Sequence, residues 1–320
     1  VTAKFTLSDT AANLALAPVS VFAGAASVTA TTDASAAQAV QIAAAIGGSG
    51  NASIFTAGAA VDAAVRVNVT DTASMLANNV SGLAIADRVT ATTTATVPEA
   101  MAVAAANKFV AGVPLFTASY AVVDNAASLL STALSPVTVT TVSGERTVTT
   151  GSTAFLAAGM AISGTGIPAG ATIASITNDT SFVISANATA AGSINATVTG
   201  RTTTAALNGA TTVTVEGAAS VQQIIDLNAA LAAATGGVTR VAAGYQLNDT
   251  RENLTDLANT TVVSAAGNVN VVTAAGGTTL ADLTVAQAVA VEALANTGTN
   301  SYKLSDTPTL LLGAGADVTA

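Results

Sequence analysis

Phe5-Thr6-Leu7-Ser8-Asp9-Thr10 is the first of five related hexapeptides in this chain, and their recurrence decides how the rest is read. The others are Val67-Asn68-Val69-Thr70-Asp71-Thr72, Tyr120-Ala121-Val122-Val123-Asp124-Asn125, Tyr245-Gln246-Leu247-Asn248-Asp249-Thr250 and Tyr302-Lys303-Leu304-Ser305-Asp306-Thr307. In each copy a large apolar residue stands four before the Asp and an aliphatic one two before it, the period-2 signature of a short strand. A Leu follows five residues after every Asp, at Leu14, Leu76, Leu129, Leu254 and Leu311. An Asp followed by Thr or Asn at a strand end reads as the start of a short helix, and Pro308 suits a first helical turn.

The five aspartates are 62, 53, 125 and 57 residues apart, so the third interval holds either a lost copy or an insertion. From Thr141 to Thr204 helical patterns vanish and short strands are predicted at Met160 to Ser163, Ala171 to Thr177, Ser181 to Ser185 and Ser193 to Thr199. Gly164, Gly166, Pro168 and Gly170 punctuate them. This pattern predicts a small all-β module inserted into the array.

A second motif lies between the aspartates. Ser35-Ala36-Ala37-Gln38, Thr96-Val97-Pro98-Glu99, Ser220-Val221-Gln222-Gln223 and Thr284-Val285-Ala286-Gln287 have the capping-box form, in which a hydroxyl and an amide or carboxylate satisfy each other's orphan N–H groups. Each predicts a helix. Val40, Met101, Ile225 and Val289 stand five after the cap, and Ile42, Val103, Leu227 and Val291 seven after it. These positions lie roughly 200° apart, so a helix apolar on more than one side is expected. Thr/Val segments at Ser27–Thr29, Arg88–Thr90, Pro136–Val139, Thr212–Val215, Val269–Val271 and Asp317–Thr319 complete the repeat.

The repeat of about 57 residues therefore reads strand, short helix, strand, capping-box helix. That order argues for an α/β fold with parallel pairing and right-handed crossovers. The expected architecture is a solenoid-like array, advancing on the order of 10 Å per repeat if each adds two strands to one stack. Residues 1–140 and 205–320 form the α/β repeats, and 141–204 the inserted module.

Composition narrows function by exclusion. The 320 residues are 51% apolar but 3% aromatic, without Trp and with 77 Ala and 51 Thr, so the interior is expected to be thin layers of small side chains. There is no Cys and no His, which removes thiol and imidazole nucleophiles, disulfides, zinc fingers and His-based triads. No enzyme is expected. A net charge of −9 with 9 basic residues makes nucleic acid a poor partner. Ala34 to Val61 carries no charge, but Gln38, Gln41, Asn51 and a Gly cluster disqualify it as a membrane span. No leader is visible and the chain starts on Val1 and ends near Val318 in mid-repeat, so a piece of something longer, or a neighbouring subunit continuing it, is expected.

Asp9, Asp71, Asp124, Asp249 and Asp306 are the candidate site residues. As helix N-caps they accept backbone N–H groups; as metal ligands they offer the oxygen that calcium takes. Calcium needs several converging ligands, and the spacing supplies one Asp per repeat, so capping is the expected role. No EF-hand loop and no Gly-Gly-x-Gly-x-Asp series occurs; Gly313 to Asp317 is half of one and reads as a turn. Gly164, Gly166 and Gly170 lack dinucleotide spacing and read as a hairpin turn. Lys4, Lys108 and Lys303 provide no S-x-x-K pair, and Glu252 with Asp256, one helical turn apart, reads as a solvated face. Nine sequons, at Asn51, Asn68, Asn79, Asn178, Asn187, Asn195, Asn248, Asn253 and Asn259, follow largely from the abundance of Thr.

Phe/Tyr-x-Leu-x-Asp-Thr-x-x-Asn-Leu, at Phe5 to Leu14 and Tyr245 to Leu254, with Thr-Val-Ala-Gln-Ala-Val at 284–289, resembles the long Ala- and Thr-rich repetitive surface proteins of bacteria: S-layer-like, adhesin-like and type I secreted calcium-binding chains. The run Gly159 to Gly170 followed by Ala171-Thr172-Ile173 is similar to a small β module of bacterial surface and phage fibre proteins. The resemblance implies an extracellular structural protein at a bacterial cell surface. It implies assembly with copies of itself into a filament, sheath or S-layer, or a place in an adhesin stalk, with cell-surface polysaccharide as a further partner. The calcium loops of some relatives are missing here, and calcium is the one cofactor the resemblance raises.

Overall fold

A computed structural model of the chain describes residues 5–51, 65–107, 109–110, 113–114, 116–130, 137–151, 153, 156, 160–178, 180–199, 207–233 and 237–314. Lys4, Lys108, Gly159 and the Asp317–Thr319 segment lie outside the described residues. The fold is α/β, with parallel strands alternating with helices, and it carries a nearly closed antiparallel sheet. Two compact units divide the chain: 1–121 with 131–211, and 122–130 with 212–320. The bound read from the sequence at 140/141 falls inside the strand Val137–Thr141, and the one at 204/205 lies outside the described residues.

In the first unit, β1 (Phe5–Asp9), β2 (Ala25–Ala30), β3 (Val65–Asp71), β4 (Ala86–Ala91) and the start of a longer strand, Thr117–Asp124, form a parallel sheet in that order. Each strand alternates with a helix: Ala11–Leu16 follows β1, Ala36–Gly48 follows β2, Ala73–Asn78 follows β3 and Val97–Ala106 follows β4. The register repeats with the sequence. Asp9 pairs with Ala30 as Asp71 pairs with Ala91, and both ladders slip just after their first residue, at Phe5/Thr6 and Val67/Asn68.

The second unit repeats the scheme. Ala218–Ala219, Gln246–Asp249, Val269–Val271 and Asn300–Ser301 pair in parallel, and Asp282–Leu283 pairs with Lys303–Leu304. Asn248 and Asn270 are register partners whose side chains join, Asn270 Nδ2 donating to Asn248 Oδ1 at 2.9 Å. Gly267 precedes one of these strands where a Cβ would sit 2.7 Å from Gly244 O, so the backbones approach too closely for a side chain.

All four predicted capping boxes form, opening the helices Ala36–Gly48, Val97–Ala106, Val221–Ala233 and Val285–Glu292. The expectation that these helices are covered on more than one side is met only in part. The residue seven after the cap is buried in every case, at Ile42, Val103, Leu227 and Val291; five after the cap, Val40, Met101 and Ile225 are half-buried, whereas Val289 is 53% exposed. Ala39, Ala100 and Ala288 keep the fully buried stripe thin. Small side chains on this stripe let neighbouring backbone come close: a Cβ on Gly82 would lie 2.6 Å from Val40 N.

The doubled interval holds an insertion. Strands Val137–Thr141, Thr147–Thr150, Ala161–Ser163, Ile173–Asn178, Ser181–Ile184 and Gly192–Thr199 form one antiparallel sheet. Its two outer strands nearly meet, since Ile162 N–H donates to Ala171 O at 2.9 Å and Ile173 N–H to Met160 O at 2.8 Å. Val139, Val148, Ile162, Ile173, Phe182, Ile184 and Val198 fill the interior. The predicted turn is present, with Gly166 at φ +80° and Gly170 at φ +75°. One strand assignment is corrected. Val137–Thr141 pairs antiparallel within the module and is not the repeat's second strand; Ala210–Val215, after the insertion, occupies that place in the order. Alternating Thr and Val suit either kind of sheet, so periodicity alone does not separate them.

Candidate functional site

The residues that recur most regularly come together at the C-terminal end of each motif strand. There the Asp is not the helix N-cap that the sequence suggested. In Asp9, Asp71, Asp124 and Asp249 the main chain still belongs to the strand, and the following residue takes the cap: Thr10 Oγ1 accepts from Asn13 N–H, Thr72 from Met75, Thr250 from Asn253, and Asn125 Oδ1 from Ser128. Thr307 occupies the same position. The strand runs one residue further than the capping preference of Asp alone indicates.

What the Asp does instead is join three segments. Its Oδ1 accepts the N–H of the next residue, at 2.7 Å in Asp9, 2.8 Å in Asp71, 2.8 Å in Asp124, 2.7 Å in Asp249 and 2.7 Å in Asp306. Asn13 and Asn253, four residues on, add a side-chain amide to Oδ1 of Asp9 and Asp249 at 2.8 and 2.7 Å. Oδ2 reaches the preceding capping-box helix: Ala36 N–H donates to Asp71 at 3.0 Å, Val221 to Asp249 at 2.8 Å and Val285 to Asp306 at 3.1 Å. The Asp main-chain carbonyl receives the N–H just past the second strand, from Thr31, Thr92, Glu216 and Val272 to Asp9, Asp71, Asp124 and Asp249.

Each carboxylate is thus placed at the positive end of a helix dipole and, where Oδ2 is engaged, of two. The first N–H of a helix has no partner inside the helix, and the capping box satisfies other donors of the first turn; the Asp of the next repeat takes the remaining one. Asp249 is fully buried, with three N–H donors on its two oxygens, which is the condition under which a buried carboxylate is tolerated. Asp9 is half-buried, and the Asn13 amide and Thr10 N–H hold its carboxyl below the usual carboxylate range.

This is an anchoring geometry. A cation requires oxygens turned toward it, whereas the oxygens of Asp71, Asp249 and Asp306 are turned toward N–H groups. The five aspartates belong to successive repeats, and among the described residues no three His, Cys, Asp or Glu side chains gather where a metal would be held. Glu252 is engaged with Arg251 in an ion pair, and Asp256 caps the turn Leu257–Asn259 through Ala258 N–H at 2.9 Å. Among the sequons, Asn248 is 4% exposed and committed to the asparagine ladder. Among the described residues no helix is long and apolar enough to cross a membrane.

Sequence reasoning missed the second carboxylate contact and the role of the asparagines. Asn13 and Asn253 were visible in the shared decapeptide; the link from Asp to a helix start 21 to 35 residues earlier was signalled only by the alternation of the two motifs. No protein-family model matches this sequence, and no curated protein sequence matches it either.

Proposed function

We propose that this chain is an extracellular structural protein, a solenoid-like array of α/β repeats that assembles with copies of itself into a bacterial surface filament, sheath or S-layer. The observation that carries the reading is the recurring aspartate clamp, whose carboxylates are committed to joining one repeat to the next. Thin, Ala-lined layers support it, because repeats too shallow to hide their own apolar faces bury them against neighbours. Scarce charge and the absence of His and Cys support an architectural role over a catalytic one.

Negative-stain electron microscopy and sedimentation velocity of the purified chain, with calcium and with a chelator, test the proposal. Ordered polymers are expected. A chain that stays monomeric at high concentration in both conditions overturns self-assembly, and polymers that dissolve on chelation identify a calcium-dependent surface layer. A second reading, a stalk segment of a large adhesin, is favoured by the clamps acting within one chain, since they build length without a partner. It predicts a monomeric rod.

A further inference from the structure

We propose that the outer edge of β1, with Asp9 at its end, is a docking site for one more strand-and-capping-box-helix segment of the same repeat type. The proposal deepens the array reading and rests on it for the kind of partner. It comes from comparing the five motif strands position by position.

In the inner copies, both edges of the motif strand are used. One edge of β3 pairs with β4; the other receives Ala34, whose N–H donates to Asn68 O at 2.8 Å and whose carbonyl accepts from Thr70 N–H at 2.9 Å. Two residues on, Ala36 N–H meets Asp71 Oδ2. The strand Gln246–Asp249 receives Ala218–Ala219 in the same way, followed by Val221 N–H on Asp249. Lys303–Leu304 receives Asp282–Leu283, followed by Val285 N–H on Asp306. A short parallel segment and the first N–H of a capping-box helix arrive together each time.

β1 pairs with β2 in the register that β3 uses for β4, so its remaining edge corresponds to the one that receives Ala34. That edge has no partner strand among the described residues, and no described residue donates to Asp9 Oδ2. By correspondence, Thr6 O, Ser8 N–H and Asp9 Oδ2 are the groups an incoming segment meets. The apolar position tells the same story: Phe5 is 45% exposed, while its counterparts Val67, Tyr120 and Tyr245 are 0%, 3% and 5% exposed.

The partner's chemistry follows from those groups. It presents a small residue in extended conformation, then a Ser or Thr opening a capping box, with the first helical N–H and the positive end of the dipole on the carboxylate. An intact second copy does not bring it from its Ala36, Val221 or Val285 helices, because those first N–H groups are already on aspartates of their own chain.

The test titrates the full chain into a fluorescently labelled peptide of residues 29–48, which carries Ala34, Ser35 and Gln38, and follows anisotropy. Saturable binding is expected, with protection of the Ser8 amide from hydrogen exchange. Asp9→Asn keeps the inner acceptor and turns the outer oxygen into a donor, so binding is expected to weaken at least about tenfold. A peptide with Ser35 and Gln38 both replaced by Ala is expected to weaken similarly. No saturation by about 1 mM, equal binding to Asp9→Asn, or binding without Ser8 protection overturns the proposal. So does self-association of the chain alone that Asp9→Asn abolishes, since the occupant is then a second copy. If Asp9→Asn does not fold, Ser8 protection in the unaltered chain decides. Peptide binding is indifferent to whether the chain polymerises, so its failure is distinct from failure of the structural reading.

Discussion

The parallel repeats and the antiparallel module use nearly the same alphabet of Thr, Val, Ala and Gly, yet they are held together differently. In the module the sheet almost closes on itself, and Phe182, Ile162, Ile173 and Ile184 fill the middle. In the repeats, helix N-termini point at the ends of neighbouring strands. Each such end leaves backbone donors unsatisfied, and a capping box together with the Asp of the next motif strand receives them. The module's sheet nearly closes on itself, whereas in the parallel sheets Asp71, Asp249 and Asp306 each tie a strand end to a helix start.

Four measurements test that contrast. The largest effect is expected from Phe182→Ala, which empties the centre of the module and costs about 3–5 kcal/mol. Hydrogen exchange is expected to show protection lost at Val148 and Ile184 and retained at Val28 and Val89; equal loss in both regions breaks the comparison. Asp249→Ala leaves Val221 N–H, Thr250 N–H and the Asn253 amide without their acceptor and is expected to cost about 3 kcal/mol, read from denaturant unfolding. Asp249→Asn, which retains one acceptor, is expected to cost less.

Gly82→Ala places a methyl group 2.6 Å from Val40 N and 2.9 Å from the Ala39 carbonyl carbon, both helix backbone. An expected loss of about 2 kcal/mol, seen as a lower denaturation midpoint, measures how closely the Ala-lined layers sit. The smallest effect concerns pH at Asp9. Its folded value lies below the ordinary one because Asn13 and Thr10 donate to it, so its stabilisation is complete at neutral pH and is lost as pH falls below about 4 through the folded value. Asn13→Ala is expected to move the Asp9 titration, followed by carboxylate NMR, back toward the ordinary range.

Much of this was legible in the residues. The alternation before each Asp marks real strands, the four capping boxes open real helices, and the glycines around Pro168 make the expected turn. The misreadings have specific causes. Val137–Thr141 has the same Thr/Val alternation as the repeat strands, and only pairing partners distinguish them. Val289 looks like a core residue by type, as Val40, Met101 and Ile225 do at the same position, yet it alone of the four is exposed, and only its surroundings distinguish it. The N-cap was placed on Asp because Asp favours that position; the ladder's extra residue gave it to Thr and Asn.

By itself the sequence determined the period, the strand and helix starts, and the absence of imidazole and thiol chemistry, because these are local matters of residue type and spacing. Tertiary structure decided which oxygen of each Asp meets which helix, which edge of β1 is left without a strand among the described residues, and where the insertion closes. Those depend on contacts between residues 21 to 35 positions apart or more, and no local propensity encodes them.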